Sequence, residues 1–354
     1  MTAGDKVLMN GNEAVGEGAI RGGCDCYFGY PITPQNELTA YMARHMLRLG
    51  RAFVQAESEV AAINMVFGAA AAGKRVMTSS SSPGVSLKQE GLSYCAGAEL
   101  PLVIVNVQRG GPGLGNIDPS QADYFQAVKG GGHGDYRLVV LAPSSVQEMH
   151  DFTAKAFGIA DRYRNPVMIL ADGRLGQMME PLTLWDSETP RPEKDWALTG
   201  AKGREKNIVR SYFSVENVLE EHNKRIHDKL NEVEKNETRC ECTDMEDAEI
   251  MLVAYGTCAR LCKEVVKQCR AEGRKAGLLR PITLWPYPWR EIHRYRDRLK
   301  TVLTVEMNAG QMVEDVRLAC DGKAPVYFHG RMGGGVPTTA EIRSRLEEIL
   351  DKDG

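Results

Sequence analysis

The chain has 354 residues, a formal net charge of −3, 43% hydrophobic and 26% charged residues. That is the balance of an ordinary globular protein with room for about two domains, each with its own core. The charge speaks against a nucleic-acid binder or a membrane-surface protein. No stretch of about 18 or more apolar residues occurs, so no membrane span is expected. Residues 1–10 lack the apolar core of a signal peptide, and a cytoplasmic protein is expected.

Residues 7–190 read as alternating strands and helices. A helix over 12–22 precedes a short strand at 24–28. Gly29-Tyr30-Pro31-Ile32-Thr33-Pro34 makes a stiff loop, in which Thr33 can cap a helix over 34–49 and Pro34 fits its first position. A strand over 51–56 leads into Glu57-Ser58-Glu59. Ser58 can cap the next helix, and Glu59 sits in its first turn, where the helix dipole favours a carboxylate. Small and apolar residues follow, among them Ala61, Ala62, Ile63, Val66 and Gly68, so this helix should be buried nearly all round. Glu59 has two meanings at this point: a favourable helix-end acid, or a carboxylate placed to act on a ligand.

A strand at 75–79, a turn at Ser80-Ser81-Ser82-Pro83-Gly84 and a helix over 86–97 come next. The apolar run 101–107 suits a strand buried on both faces of a parallel sheet. It ends in Gln108-Arg109-Gly110-Gly111-Pro112-Gly113-Leu114-Gly115. The loop 130–135, with His133, precedes a strand at 138–141, a helix over 145–162 capped by Ser144 or Ser145, and a strand from 166 to 170 that ends at Asp172. This order predicts an α/β fold, with a doubly wound parallel sheet over 1–190. Ligands bind outside the carboxyl ends of such strands. The loops at Thr33, Glu59, 79–84, 109–115 and 133–135 should therefore gather on one edge.

Residues 191–247 read as a linker. It carries an amphipathic helix over 214–236 that spans between domains or packs on a partner, followed by a linker at 238–247. A second α/β unit over 248–354 has strands at 250–256, 276–279, 301–306 and 326–329, and helices at 258–272, 309–318 and 339–350. Thr338 can cap the last helix, and Pro281, Pro286 and Pro288 stiffen a loop.

Several motifs fail on inspection. Gly68 to Lys74 mimics a phosphate-binding G-x-x-x-x-G-K loop, but Arg75 stands where a hydroxyl is needed, and the segment closes a helix instead of opening one. Gly73 reads as a helix C-terminal glycine. The loop after Arg109 has Asn116 where a dinucleotide fingerprint needs its third glycine. His133 lacks an evident nucleophile partner and reads as a structural loop histidine. The nine cysteines include the pairs Cys24/Cys26 and Cys240/Cys242 but no C-x-x-C, so free thiols are expected, with a metal bridged by the two pairs as the weaker alternative.

Three stretches together, 29–34, 55–59 and 108–112, resemble the thiamine-diphosphate-dependent 2-oxoacid:ferredoxin oxidoreductases. The resemblance is to the subunit with a pyrimidine-binding domain followed by a transketolase C-terminal-like domain, the latter matched by 279–286 and 305–311. It covers almost the whole chain. Within the family the 2-ketoisovalerate (3-methyl-2-oxobutanoate) enzymes look nearest, although the 2-oxoglutarate enzymes share these motifs. The resemblance implies thiamine diphosphate as cofactor, with Glu59 as the glutamate that hydrogen-bonds N1′ of its aminopyrimidine and Glu57 as the fallback. Thr33 matches the family threonine near substrate and cofactor, and Arg109 the arginine whose guanidinium suits the carboxylate of a 2-oxo acid. An arginine held only by structural pairing is the alternative. Tyr30, Pro31, Ile32 and Ser82 would line the cofactor, and Gly110 the substrate. No G-D-G followed by a suitably spaced Asn is present, so Mg²⁺ and the diphosphate are expected on a beta-type partner subunit. A gamma-type subunit, a ferredoxin-like subunit with the iron–sulfur clusters, and external ferredoxin complete the implied set, with CoA as co-substrate. A non-catalytic scaffold subunit and a stand-alone nucleotide-binding protein are the rival readings.

Overall fold

The computed structural model describes residues 6–184 and 190–353. Residues 1–5, 185–189 and 354 lie outside it, and with them part of the predicted N-terminal segment and the stretch just before the predicted boundary at 190. The elements run β1 (Lys6–Asn10), α1 (Gly11–Arg21), β2 (Cys26–Gly29), α2 (Asn36–Arg48), β3 (Ala52–Gln55), α3 (Glu59–Ala71), β4 (Val76–Ser80), α4 (Ser82–Gly97) and β5 (Leu102–Gln108). Then come α5 (Tyr124–Val128), β6 (Val139–Leu141), α6 (Val146–Tyr163), β7 (Pro166–Asp172), α7 (Gly173–Gln177), β8 (Met179–Thr183) and α8 (Val218–Glu237). The chain closes with β9 (Cys240–Thr243), β10 (Ile250–Val253), α9 (Gly256–Ala271), β11 (Ala276–Pro281), β12 (Thr283–Trp285), α10 (Trp289–Tyr295), β13 (Thr301–Glu306), α11 (Met312–Cys320), β14 (Val326–Gly330) and α12 (Thr339–Asp353).

A seven-stranded sheet has the order β12-β6-β7-β5-β4-β2-β3. All neighbours are parallel except β12, which pairs antiparallel with β6. The alternation along β5 shows how both faces are covered. Leu102 and Ile104 join a core with α3 and α4, whereas Val103, Val105 and Val107 join one with α1, α2 and α6. A five-stranded sheet follows, β14-β13-β10-β11-β9, antiparallel only at β9. Met251, Val253, Leu279 and Val302 of that sheet belong to the same core as α3 and α4, so the two layers share one apolar interior.

Several predicted elements take a different form. The segment 80–84 is not a turn. Ser81 is the extended cap residue and Pro83 lies in the first helical turn, where its missing N–H costs nothing, so α4 starts at Ser82. Thr33 does not cap α2, which begins after Gln35. The expected linker at 238–247 contains β9, and the loop of prolines contains β12, because each finds an edge of a sheet to extend. Helix α8 packs on the chain itself. Ile226, Leu230 and Val233 are buried, and His222 Nε2 lies 2.6 Å from the Gly97 carbonyl at the end of α4.

Helix α3 is not buried all round. Glu59, Ala62, Ile63, Val66 and Ala70 are buried, but Val60, Asn64 and Gly68 form an exposed stripe. The reason is topological: β3 is the last strand of its sheet, and no strand among the described residues extends the sheet beyond it. Val54 on β3, and Leu87 and Tyr94 on α4, are exposed as well.

Candidate active site

The carboxyl ends of β2, β3, β4 and β5 lie side by side, which brings the loops at Thr33, Glu59, 80–84 and 109–115 to one edge. The loop around His133 lies elsewhere. Its glycines Gly131 and Gly132 leave room for Gln89 and Ser93, about two and three turns along α4 from Ser82.

Glu59 opens α3 behind Ser58, whose hydroxyl accepts the Ala61 N–H at 3.1 Å. The carboxylate is buried, 6% exposed, whereas Glu57 is exposed. What admits it is Gly84 in the first turn of α4. A Cβ on that residue would lie 2.5 Å from Glu59 Oε1 and 2.1 Å from Ser80 Oγ. The bare Cα therefore makes room for a carboxylate and a hydroxyl at the N-terminus of a second helix. The hydroxyls of Ser80 and Ser81, and the Gln35 amide nitrogen, are buried here without a hydrogen-bond partner among the described residues. Buried polar atoms left open at the end of a sheet suit a polar ring inserted beside Glu59.

Arg109 ends the strand next to β4. Its guanidinium donates to the Thr33 and Leu114 carbonyls, each at 3.0 Å. It is 7% exposed, and among the described residues its buried Nε has no partner and no carboxylate pairs with it. This buried positive charge holds two loops together through neutral acceptors and keeps its attraction for an anion. Thr33 thus meets Arg109 through its backbone, and its hydroxyl accepts from Asn36 Nδ2 at 3.3 Å. Tyr30 and Pro31 are exposed on the same loop, with Ile32 half-buried.

Ser82 links this arginine to an acid that sequence reasoning missed. Its Oγ accepts the Arg109 N–H at 3.0 Å and donates to Asp123 Oδ2 at 2.6 Å. Asn106 donates to the same oxygen at 2.8 Å. Burial raises the Asp123 carboxyl above the usual range, and these two donors oppose the shift. Gly110 takes part through its backbone, its N–H donating to the Asp118 carbonyl at 2.9 Å. Asn116 Nδ2 in turn donates to the Gly333 carbonyl at 2.9 Å, tying the glycine-rich loop to the second sheet.

Between these loops and the second sheet lies a cleft of about 430 Å³. Ser82, Arg109, Gly110 and Asp123 line one wall, and Asn308 and Gln311 the other. The far wall is rigid. Glu306 is buried and accepts from the amides of Met312 and Val313 and from Asn308 Nδ2. Gln121 and Asn308 bind each other's loops, and Tyr124 OH donates to Asp315 Oδ2 at 2.6 Å. Among the described residues no group of three His, Cys, Asp or Glu side chains could hold a metal ion, which leaves no support for a metal bridged by the C-x-C pairs. The described cysteines are all free thiols.

Known proteins place this geometry. The family profile described as pyruvate flavodoxin/ferredoxin oxidoreductase, thiamine diphosphate-binding, matches residues 17–241, and core domain II of pyruvate:ferredoxin oxidoreductase matches 248–342. The chain is 55% identical to the ketoisovalerate oxidoreductase subunit VorB of Methanothermobacter marburgensis, over 97% of each chain. It is 37% identical to the 2-oxoglutarate synthase subunit KorA of Methanothermobacter thermautotrophicus, over 97% of this chain and 98% of that one. Among solved structures it resembles 2-oxoglutarate:ferredoxin oxidoreductase from Magnetococcus marinus, with a TM-score of 0.86 and 30% identity. That likeness covers 98% of this chain and 66% of the solved one, whose bound molecules are 2-oxoglutarate, coenzyme A and succinyl-CoA.

Proposed function

The chain belongs to the pyruvate flavodoxin/ferredoxin oxidoreductase family, and on that premise we propose that it is the subunit that activates thiamine diphosphate in a 2-oxoacid:ferredoxin oxidoreductase. The reaction is 2-oxo acid + CoA + oxidised ferredoxin → acyl-CoA + CO₂ + reduced ferredoxin. The observation that carries the proposal is the buried Glu59 carboxylate in the space left by Gly84, two residues along α4 from Ser82, whose hydroxyl accepts the Arg109 backbone N–H.

When bound, thiamine diphosphate supplies the nucleophilic carbon that attacks the 2-oxo group and retains the electrons left when CO₂ departs. The Glu59 carboxylate would accept a hydrogen bond from N1′–H of the pyrimidine ring, a position that a buried carboxylate at a helix N-terminus fills without reorganisation. The Ser80 and Ser81 hydroxyls and the Gln35 amide nitrogen, left open among the described residues, are suited to the polar edge of that ring, with Tyr30, Pro31, Ile32, Thr33 and Ser82 around it. Arg109 offers its unpaired Nε and its uncompensated charge to the substrate carboxylate, beside Thr33 and Gly110.

This chain supplies the pyrimidine half of the site. The diphosphate and Mg²⁺ belong to a beta-type subunit, and the iron–sulfur clusters to a ferredoxin-like subunit, in a complex that also has a gamma-type subunit and passes electrons to external ferredoxin. The exposed apolar side chains of Val54 on the edge strand and Val60 beside Glu59, with Leu87 and Tyr94 exposed on α4, support a partner seated there. The close relation to a ketoisovalerate oxidoreductase subunit supports a branched-chain 2-oxo acid as substrate. The test is anaerobic purification of the tagged chain from its host, then viologen reduction with CoA and a panel of 2-oxo acids. Iron-containing co-purifying subunits and a preference for 2-ketoisovalerate are expected. A preference for 2-oxoglutarate would refute the specificity, and an unpartnered, inactive chain would refute the assignment.

A further inference from the structure

Lys88 is fully buried in the middle of α4. Its Nζ donates to Thr78 Oγ1 at 2.7 Å and to the Ser79 carbonyl at 2.9 Å. These acceptors satisfy two of the three ammonium protons, but both are neutral and leave the charge uncompensated. Lys88 lies one turn beyond Gly84 on the same helix face, and helical side chains lean back towards the N-terminus. It therefore reaches towards the residue against which the Glu59 carboxylate rests.

The electrostatics agree with the geometry. Burial lowers the lysine to about 7 from its ordinary 10.5, and Glu59 is the charge that opposes the shift. The other ionisable groups nearby do not take this part. Tyr27, whose phenol is 2.6 Å from Ser79 Oγ, is pushed up to about 12 by burial and stays neutral. Asp123 is held by Ser82 and Asn106, and the Arg109 guanidinium points to the Thr33 and Leu114 carbonyls. Gln35 and Thr39 on α2, which continue the network from Ser79 and Tyr27, carry no charge.

We propose that Lys88 is a positioning residue for Glu59: its ammonium is the buried counter-charge that keeps the carboxylate ionised and fixed beside Gly84. This rests on the reading of Glu59 given above and adds what sets its protonation. Without Lys88 the carboxylate would be buried with no cation facing it, an arrangement that buried charges avoid.

The experiment uses the complex purified from the host with Lys88→Met and, in parallel, Lys88→Gln, which loses the charge but keeps a hydrogen-bond donor on a side chain one atom shorter. Two quantities are read. One is the acid limb of the kcat/KM pH profile. The other is the infrared carbonyl stretch of a protonated carboxylic acid at neutral pH, with and without Glu59→Gln on the same background. The expected result is an acid limb moved up by about one pH unit or more, and a new carboxylic-acid band that Glu59→Gln abolishes. Folded variants with an unmoved limb and no such band would overturn the proposal and leave Lys88 as a structural tie to β4. Full turnover in Glu59→Gln alone would instead defeat the functional reading, while the infrared comparison would still decide the pairing.

Discussion

Replacing Gly84 by alanine separates the site from the fold. Glycine in a helix costs about 0.5–1 kcal/mol relative to alanine, so by propensity the change is stabilising. The added methyl would lie 2.5 Å from Glu59 Oε1 and 2.1 Å from Ser80 Oγ. Carbon and oxygen need roughly 3.5 Å, so the carboxylate must withdraw by about 1 Å and the serine hydroxyl by more. Both obstructions are ends of side chains that can rotate, at a cost of about 0.5–1.5 kcal/mol for an off-rotamer angle. The two effects nearly cancel, and net stability should change by no more than about 1 kcal/mol. Catalysis has no such compensation, since a misplacement of about 1 Å at a reacting group costs on the order of 100-fold. Thermal melting and CoA-dependent viologen reduction on the same preparation would show an unchanged transition and a turnover reduced by about that factor. Turnover within twofold of wild type would refute the idea that Gly84 exists to seat Glu59.

Other expectations follow from the same contacts. The Lys88 ammonium is depressed from 10.5 to about 7 in the fold, so between those values the unfolded chain binds the additional proton. Stability therefore rises with pH over that window, and Lys88→Met should flatten the rise in melting curves taken across it. Val60→Asp places a charge on the exposed stripe of α3. It should leave melting of the chain unaltered yet weaken co-purification of its partner on the order of 100-fold; undiminished assembly would show that the stripe is not an interface. Tyr124→Phe removes a 2.6 Å hydrogen bond to buried Asp315 between the two sheets. It should cost roughly 1.5–3 kcal/mol, read from denaturant unfolding.

What could be read in the sequence was what local patterns determine. The Ser58 cap, the apolar run of β5 and the glycine-rich loop after it stand where the sequence puts them, because capping and a doubly buried strand are properties of a few adjacent residues. The segment 80–84 misled because serines, proline and glycine favour turns, yet the same residues suit the first turn of a helix when a strand feeds straight into it. β9 and β12 escaped notice because their partners, β11 and β6, are set by the tertiary fold. The exposed face of α3 follows from β3 being an edge strand, which composition does not reveal. Lys88 was passed over because lysine is seldom buried without a partner. The available signal was its position one turn from Gly84 in a helix whose other inward residues, Gln89 apart, are small or apolar.

The central claim is that Glu59 acts on the cofactor and is not merely a favourable helix-end acid. The direct measurement is turnover of the Glu59→Gln complex with CoA and a branched-chain 2-oxo acid, with subunit composition and melting checked on the same sample. The account predicts an intact complex whose turnover falls by about 10²–10⁴-fold. An intact complex with near-normal turnover would contradict it and leave this chain as a scaffold.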